Sequence, residues 1–509
     1  MKFIARFLYV PLAGLLVLTS CAKEETESYD KFENQALEAW MTQHRSDLVE
    51  NLQSEGLYYI DLLDAGDLAS DPINTEDIWV SFDFSGRDLS GNIILTRNAD
   101  DAVLAGSFSK YTHYVPFYRY CGSENSGLME GTWLAMRRTL TLGDTYFRNN
   151  KDRLGITSPE VTLRYGSKIR LYMPSSVVGN GVEGTGGYEG QEGYSLSSKR
   201  PFIVTMEIRD TVSNPLEREG TDVDDFCELN GGLQIYSKGD DDTPATEVPE
   251  DPEDPEHPYS ETSKRWVSAC DSIPQVYVNV RYNPAEPGDQ LSFPAPYHVG
   301  YEPYVSEASV RDIDMQIAEA LKKRFHGEGD DYEKYEGVKT LEADSVTLEG
   351  TAKIWYIGRF LDGFIFDTNI DEVKKIIYGE VRKTGSAHSY DVQNPDLITA
   401  FYYIVPHLKY GQWATLVTTS TNAYGTTGKS GGSSTSTSSN GYTSSYYDYL
   451  NYLNYSQMYY GNNGYYGGYY GGYGGNYDSG ETTTTTKVYT DIPSFSPLIF
   501  QIYIEPDGE

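Results

Sequence analysis

Ala352-Lys-Ile-Trp-Tyr-Ile-Gly-Arg-Phe-Leu-Asp-Gly-Phe-Ile-Phe-Asp-Thr368 is the stretch on which the reading of the fold turns. Ile354 and Tyr356 alternate with Lys353 and Trp355, the period-two pattern of a half-buried strand. Gly363 falls where a hairpin turn needs a residue without a Cβ. Phe84-Ser-Gly-Arg-Asp-Leu-Ser-Gly-Asn-Ile-Ile-Leu-Thr96 aligns without gaps on Tyr356 to Thr368, and Gly, Arg, Leu, Gly, Ile and Thr coincide. A second pairing sets Tyr165-Gly-Ser-Lys-Ile-Arg-Leu171 beside Tyr410-Gly-Gln-Trp-Ala-Thr-Leu416. Two matches in the same order predict two copies of one domain, at a period far too long for a solenoid.

The composition agrees with more than one domain and excludes several functions. At 509 residues the chain exceeds one ordinary core. Its net charge is −35, which repels phosphate backbones and argues against nucleic-acid binding. The 4 Cys form no C-x-x-C pair, and no two of the 7 His have zinc spacing, so neither a metal nor a cofactor is expected. An exported chain permits one disulfide among Cys121, Cys227 and Cys270, but the sequence does not choose a pair. There is no P-loop and no Gly-x-Ser-x-Gly.

The N-terminus carries an address. Lys2 and Arg6 precede a mostly apolar stretch, Phe7 to Leu18, that is too short to span a bilayer. Leu18-Thr-Ser-Cys21 then resembles the lipobox of bacterial lipoproteins. That resemblance implies cleavage before Cys21, lipidation of Cys21, and a cell-envelope location at the outer membrane, on either face. The acidic run Ala22-Lys-Glu-Glu-Thr-Glu27 reads as a solvated tether or a surface-export tag.

Further along, Phe32, Leu37, Trp40, Met41 and Leu48 predict an amphipathic helix. The expected order is a signal peptide (1–20), a tether with that helix (21–70) and the first copy (71–215). An acidic Pro-rich linker (216–262) and connecting strands and helix (263–335) follow. These connecting residues read equally as an insertion, a small domain, or strands added to the second copy. The second copy (336–509) carries a low-complexity insertion at 426–487, Ser/Thr/Gly-rich and then Tyr/Gly-rich.

The second copy resembles FKBP-type peptidyl-prolyl cis–trans isomerases. Residues 352–368 are similar to the family's strand, turn and Phe-Asp signature. Leu397-Ile-Thr-Ala-Phe401, Leu408-Lys-Tyr-Gly-Gln-Trp-Ala-Thr-Leu416 and Asn422-Ala-Tyr-Gly425 look like its helix start, a later strand and its Ala-Tyr-Gly turn. Ile492-Pro-Ser-Phe-Ser-Pro-Leu-Ile-Phe-Gln-Ile502 is similar to its closing strand. The resemblance implies an α+β fold in which each copy is an antiparallel sheet wrapped around a short helix. It also implies a partner, the proline-containing polypeptides of exported or envelope proteins.

The chemistry implied is modest. An X-Pro amide rotates over a barrier of about 20 kcal/mol because of its resonance. A catalyst must exclude water, grip the prolyl ring and favour the twisted amide. By resemblance, Tyr356, Phe366, Phe401 and Phe500 line the pocket with Leu397, Ile398 and Ile492. The Ile398 N–H and the Tyr424 hydroxyl bond substrate carbonyls, and Asp367 orients the amide from the pocket edge.

The departures are specific. Phe401 replaces the family's pocket-floor Trp, Ala400 replaces a Gly, and the Tyr/Gly tract interrupts the loop that overhangs the pocket. In the first copy Phe84, Ile94 and Leu95 replace Tyr, Phe and Asp, Gly179 falls near the place of the second Tyr, and Trp133 is a loose candidate for the floor. The first copy therefore reads as degenerate. The rival readings are a non-catalytic chaperone of the same fold and an adhesion protein driven by the Tyr/Gly tract.

Overall fold

The computed structural model describes residues 29–178, 189–190, 201–233, 266–294, 307–326, 346, 350–438 and 482–506, less short gaps at 107, 117, 126, 270–274, 280–281, 430, 432 and 488. The first copy runs α1 (Tyr29–His44), β1 (Tyr58–Ala65), β2 (Ile78–Asp88), β3 (Ile93–Thr96), β4 (Tyr118–Cys121), α2 (Glu130–Arg137), β5 (Ser167–Met173) and β6 (Phe202–Val212). The second runs α3 (Pro215–Leu229), β7 (Val276–Asn279), α4 (Glu307–Leu321), β8 (Thr351–Phe360), β9 (Ile365–Thr368), α5 (Asp371–Tyr378), β10 (His388–Asp391), α6 (Thr399–Ile404), β11 (Trp413–Thr418) and β12 (Leu498–Ile504). The fold is α+β, with two antiparallel sheets each wrapped around one short helix, α2 or α6.

The two sheets share one topology. The first is ordered β1-β5-β6-β2-β3 with β4 on β2, the second β7-β11-β12-β8-β9 with β10 on β8. The quoted repeat superposes down to its irregularities. Asp88 and Asn92 close one hairpin and Phe360 and Phe364 the other, with Gly91 (φ 91°) and Gly363 (φ 90°) in the left-handed turn position. Just beyond the turn the register slips at Gly86/Arg87 and at Gly358/Arg359. Each slip is a bulge, which places Ile94 or Phe366 as the extra residue. Gly166 and Gly411 (φ 77° and 76°) start β5 and β11 by donating to Ile208 and Ile504 of the closing strands.

The repeat unit is larger than the sequence matches. Glu33 of α1 accepts from Ser175 N–H and Oγ at 2.8 and 2.6 Å. Glu219 of α3 accepts from Ser420 N–H and Oγ at 2.6 and 2.7 Å. Ser175 and Ser420 begin the turn after β5 and after β11. Leu37 and Met41 of α1 are buried like Val223 and Cys227 of α3. Residues 216–229, expected in a linker, are thus the first helix of the second unit. The length and spacing of that helix follow its cap: Asn214 accepts from Glu217 N–H and Pro215 opens the first turn. Likewise β1 lies within the expected tether, and β7 joins the second sheet between β11 and a short edge strand, Val267–Ser268, so this part of 263–335 adds strands to the second copy. The Pro-rich run 238–258 falls outside the described residues, as do the signal segment and Cys21.

Helices α4 and α5 cover the outer face of the second sheet through Ile317, Leu321, Val373 and Ile377. There Arg359 and Asp314 form a buried ion pair at 2.7 Å. The copies also touch each other. Tyr111 stacks on Tyr378 at 4.0 Å, His113 on Phe360 at 4.3 Å, and Trp79 meets Phe495 edge-on at 4.6 Å. Among the described residues no helix is long and apolar enough to cross a membrane.

Candidate active site

The inner face of the second sheet carries an aromatic cluster because four elements point rings at one another. Phe500 of β12 lies edge-on to Phe366 at 5.7 Å and to Phe401 of α6 at 5.2 Å, with Tyr356 of β8 at 6.4 Å. Gly358 makes room for this. A Cβ on it would stand 2.6 Å from the Phe366 ring, so only glycine fits beside that ring. Phe366, Phe401, Phe500 and Ile492 are buried, whereas Tyr356, Leu397, Ile398 and Tyr424 are half-buried and form the rim that solvent reaches.

Strand neighbours normally face opposite ways, yet Phe366 and Asp367 both address this cluster. The bulge at Gly358/Arg359 allows it. Asp367 accepts the Tyr356 hydroxyl at 2.8 Å. Burial pushes the Asp367 carboxyl above the usual aspartate range, against the Tyr356 hydrogen bond and the charges of Lys429 and Lys374. Burial, with the Asp367 charge adding to it, pushes the Tyr356 phenol well above its usual range. Tyr356 is therefore a donor at any physiological pH.

Helix α6 begins at Ile398, an extended N-cap residue (φ −60°, ψ 151°). Its N–H enters no hydrogen bond among the described residues, as is usual ahead of a first helical turn. Tyr424 follows the turn Ser420–Asn422, which Gly425 (φ 74°) closes by donating to Ser420 O at 2.7 Å. Its hydroxyl has no partner among the described residues, and burial pushes its pKa up to about 12. The Lys429 ammonium stands 4.7 Å from the Tyr424 ring. All nine residues expected at the site thus fall on one cluster and its rim, Tyr356, Phe366, Asp367, Ile398 and Tyr424 among them.

Two contributors escape a reading of the motifs. Glu219 holds the turn that carries Tyr424, from a helix nearly two hundred residues upstream in sequence. The signal was present as Glu33-x-x-x-Leu-x-x-Trp-Met41 against Glu219-x-x-x-Val-x-x-Phe-Cys227. Tyr111 of the first copy also stands at the wall of a small cleft containing Asp367 and Lys374, and no local pattern announces it.

The insertion enters and leaves beside the rim. Lys429 and Ile492 exchange backbone hydrogen bonds at 2.8 Å each, and Gly431 N–H donates to Asp491. Ser433–Ser438 then pairs antiparallel with Thr482–Lys487. The ends of the low-complexity tract are therefore a two-stranded ribbon, and residues 439–481 lie outside the described set.

The first copy lacks the polar part of this arrangement. Phe84 and Leu95 stand at the places of Tyr356 and Asp367, both buried. The helix starts pair Met129 with Ile398, which leaves Trp133 one position beyond the place of Phe401. Leu128 and Met129 are 4% and 0% exposed, so no rim is open. Among the described residues no group of His, Cys, Asp and Glu could hold a metal ion.

No family model matches the chain, and no curated protein does. Among solved structures it is similar to the three FKBP domains of wheat FKBP73, at 10% identity over 89% of this chain and 95% of that one, TM-score 0.19. It is similar to FkpA from Escherichia coli at 12% identity over 42% and 72%, TM-score 0.21. A peptidyl-prolyl cis-trans isomerase from Pseudomonas syringae pv. tomato matches at 16% identity over 37% and 99%, TM-score 0.20.

Proposed function

We propose that the second copy is a peptidyl-prolyl cis–trans isomerase acting on X-Pro bonds of exported or envelope proteins, in a chain anchored by lipid on Cys21 at the outer membrane. The observation that carries this is the donor and acceptor set at the aromatic rim. The Asp367 carboxylate is held by Tyr356, and among the described residues the Tyr424 hydroxyl and Ile398 N–H beside it have no partner.

The prolyl ring would pack on the rim over Phe366, Phe401 and Phe500, displacing water. As the amide twists, its nitrogen becomes pyramidal and its carbonyl loses conjugation. Donation from Tyr424 and Ile398 to the flanking carbonyls holds the chain in the turn that favours this state. Asp367, desolvated beside Tyr356, contributes a fixed field across the rotating carbonyl. No bond is made or broken, so no nucleophile, metal or cofactor is required.

The test uses the chain with Cys21→Ala and follows exchange of a short X-Pro peptide by NMR, beside an Asp367→Ala, Tyr424→Phe variant and a deletion of 439–481. Activity lost in the double variant supports the reading. Inactivity of both the parent and the deletion would sink it, leaving a holding module on the same fold.

A further inference from the structure

We propose that the cleft between the two copies binds an extended polypeptide segment carrying a basic side chain, at a site separate from the aromatic rim. The cleft measures about 410 Å³ and is walled by both copies, with Tyr118 and Asp210 on one side and α3, Asp362 and the Phe495 loop on the other. That volume suits a few residues of bound chain.

Four carboxylates line it, those of Asp210, Asp222, Asp225 and Asp362, against the single guanidinium of Arg218. Three of the four are engaged. Tyr118 donates to Asp210 at 2.5 Å, Arg218 pairs with Asp222 at 2.9 Å, and His113 contacts Asp362 at 2.6 Å. Asp225 is exposed and has no cationic partner among the described residues. The excess negative charge faces apolar walls, including Phe495, Pro497 and Leu229. Carboxylates beside aromatic and prolyl surface suit a cation on an aliphatic stem.

His113 points to the rest of the ligand. Its ring is 5% exposed and its Nε2 is committed to Asp362, yet its buried Nδ1 has no partner among the described residues. Buried polar atoms are normally satisfied. A neutral ring needs a donor at Nδ1, and a protonated ring needs an acceptor. A peptide backbone offers both, whereas a simple amine offers only donors. Ile492, buried beneath the rim, directly precedes the cleft loop in sequence.

The probe is a fluorescein-labelled peptide of alternating Leu and Arg without proline, so the result does not depend on isomerase activity. Its controls carry Gln or Glu for Arg. Anisotropy titration of the full-length chain with Cys21→Ala should show the Arg peptide binding at least about tenfold tighter than the Gln peptide. Asp225→Asn, at an exposed position, should weaken it about threefold. Leu229→Lys, at a helix end that tolerates a cation, should weaken it at least as much. Glu38→Gln, on exposed surface of α1, should leave binding unchanged and so separate the cleft from overall charge. Equal binding of the Arg and Gln peptides would overturn the proposal, as would insensitivity to both cleft substitutions or an equal loss in Glu38→Gln.

Discussion

In both copies a glycine without room for a Cβ lies beneath an aromatic ring, but the ring comes from different strands. At Gly358 it is Phe366, from the bulge that also presents Asp367. At Gly86 it is Phe202 of β6, where the second copy has Leu498. The shared backbone therefore carries two solutions. In one, the aromatic ring and the acid arrive together and the rim stays half open. In the other, Ile94 and Leu95 leave no polar group, Phe202 fills the space, and the face closes with Leu128 and Met129 buried. Topology, bulge and turns persist when the chemistry does not, because they satisfy the backbone whatever the side chains do.

The comparison can be broken most sharply in the first copy. Leu95→Asp should destabilise it by about 3 kcal/mol, since an unpaired carboxylate would enter apolar surroundings. Adding Phe84→Tyr should recover about 1 kcal/mol by rebuilding the hydroxyl–carboxylate pair, read as a shift in denaturant midpoint. No recovery would mean that the two frameworks are not equivalent at this point.

In the second copy, Asp367→Ala with Tyr424→Phe should lower X-Pro exchange about 100-fold. Next, Glu219→Ala should lower kcat about tenfold by releasing the Tyr424 turn, with most of it restored by Glu219→Gln. The matching Glu33→Ala should cost stability by about 1 kcal/mol and leave kcat alone. A kcat loss in both would show that Glu219 acts through stability only.

The smallest effect expected is on the pH profile. Burial raises the Asp367 pKa, so the ionised form is the disfavoured one and is lost as pH falls through that raised value. Exchange should decline on the acid side, starting at a higher pH than an ordinary aspartate would dictate. Asp367→Asn should remove the decline. The linked stability has the opposite sense. Asp367 costs stability once pH exceeds its unfolded value, and the full cost is present above the folded one.

Much of this was legible in the sequence because the motifs are local. Alternation in Ile354 to Tyr356, the hairpin glycine and the repeat of Phe84 to Thr96 each constrain the backbone within a few residues, and the strands, bulges and rim follow. What escaped is held by contacts distant in sequence. Glu219 meets Ser420 across the whole second unit, and its helix shares only a sparse apolar pattern with α1. Charge clouded that helix as well, since Glu217, Glu219, Asp222, Asp224, Asp225 and Glu228 read as the start of an acidic linker. Its buried face, Val223, Phe226 and Cys227, is what makes it part of a core.

The ribbon of Ser433–Ser438 with Thr482–Lys487 has an evolutionary consequence. Because both ends of the insertion are fastened to each other next to Ile492, the domain meets the same short stem whatever lies beyond it. Doubling the length of a closed loop adds only about 0.6 kcal/mol of closure entropy. The tract between the strands is thus free to lengthen, shrink or change its letters under selection of its own, while the rim beside the stem is inherited intact.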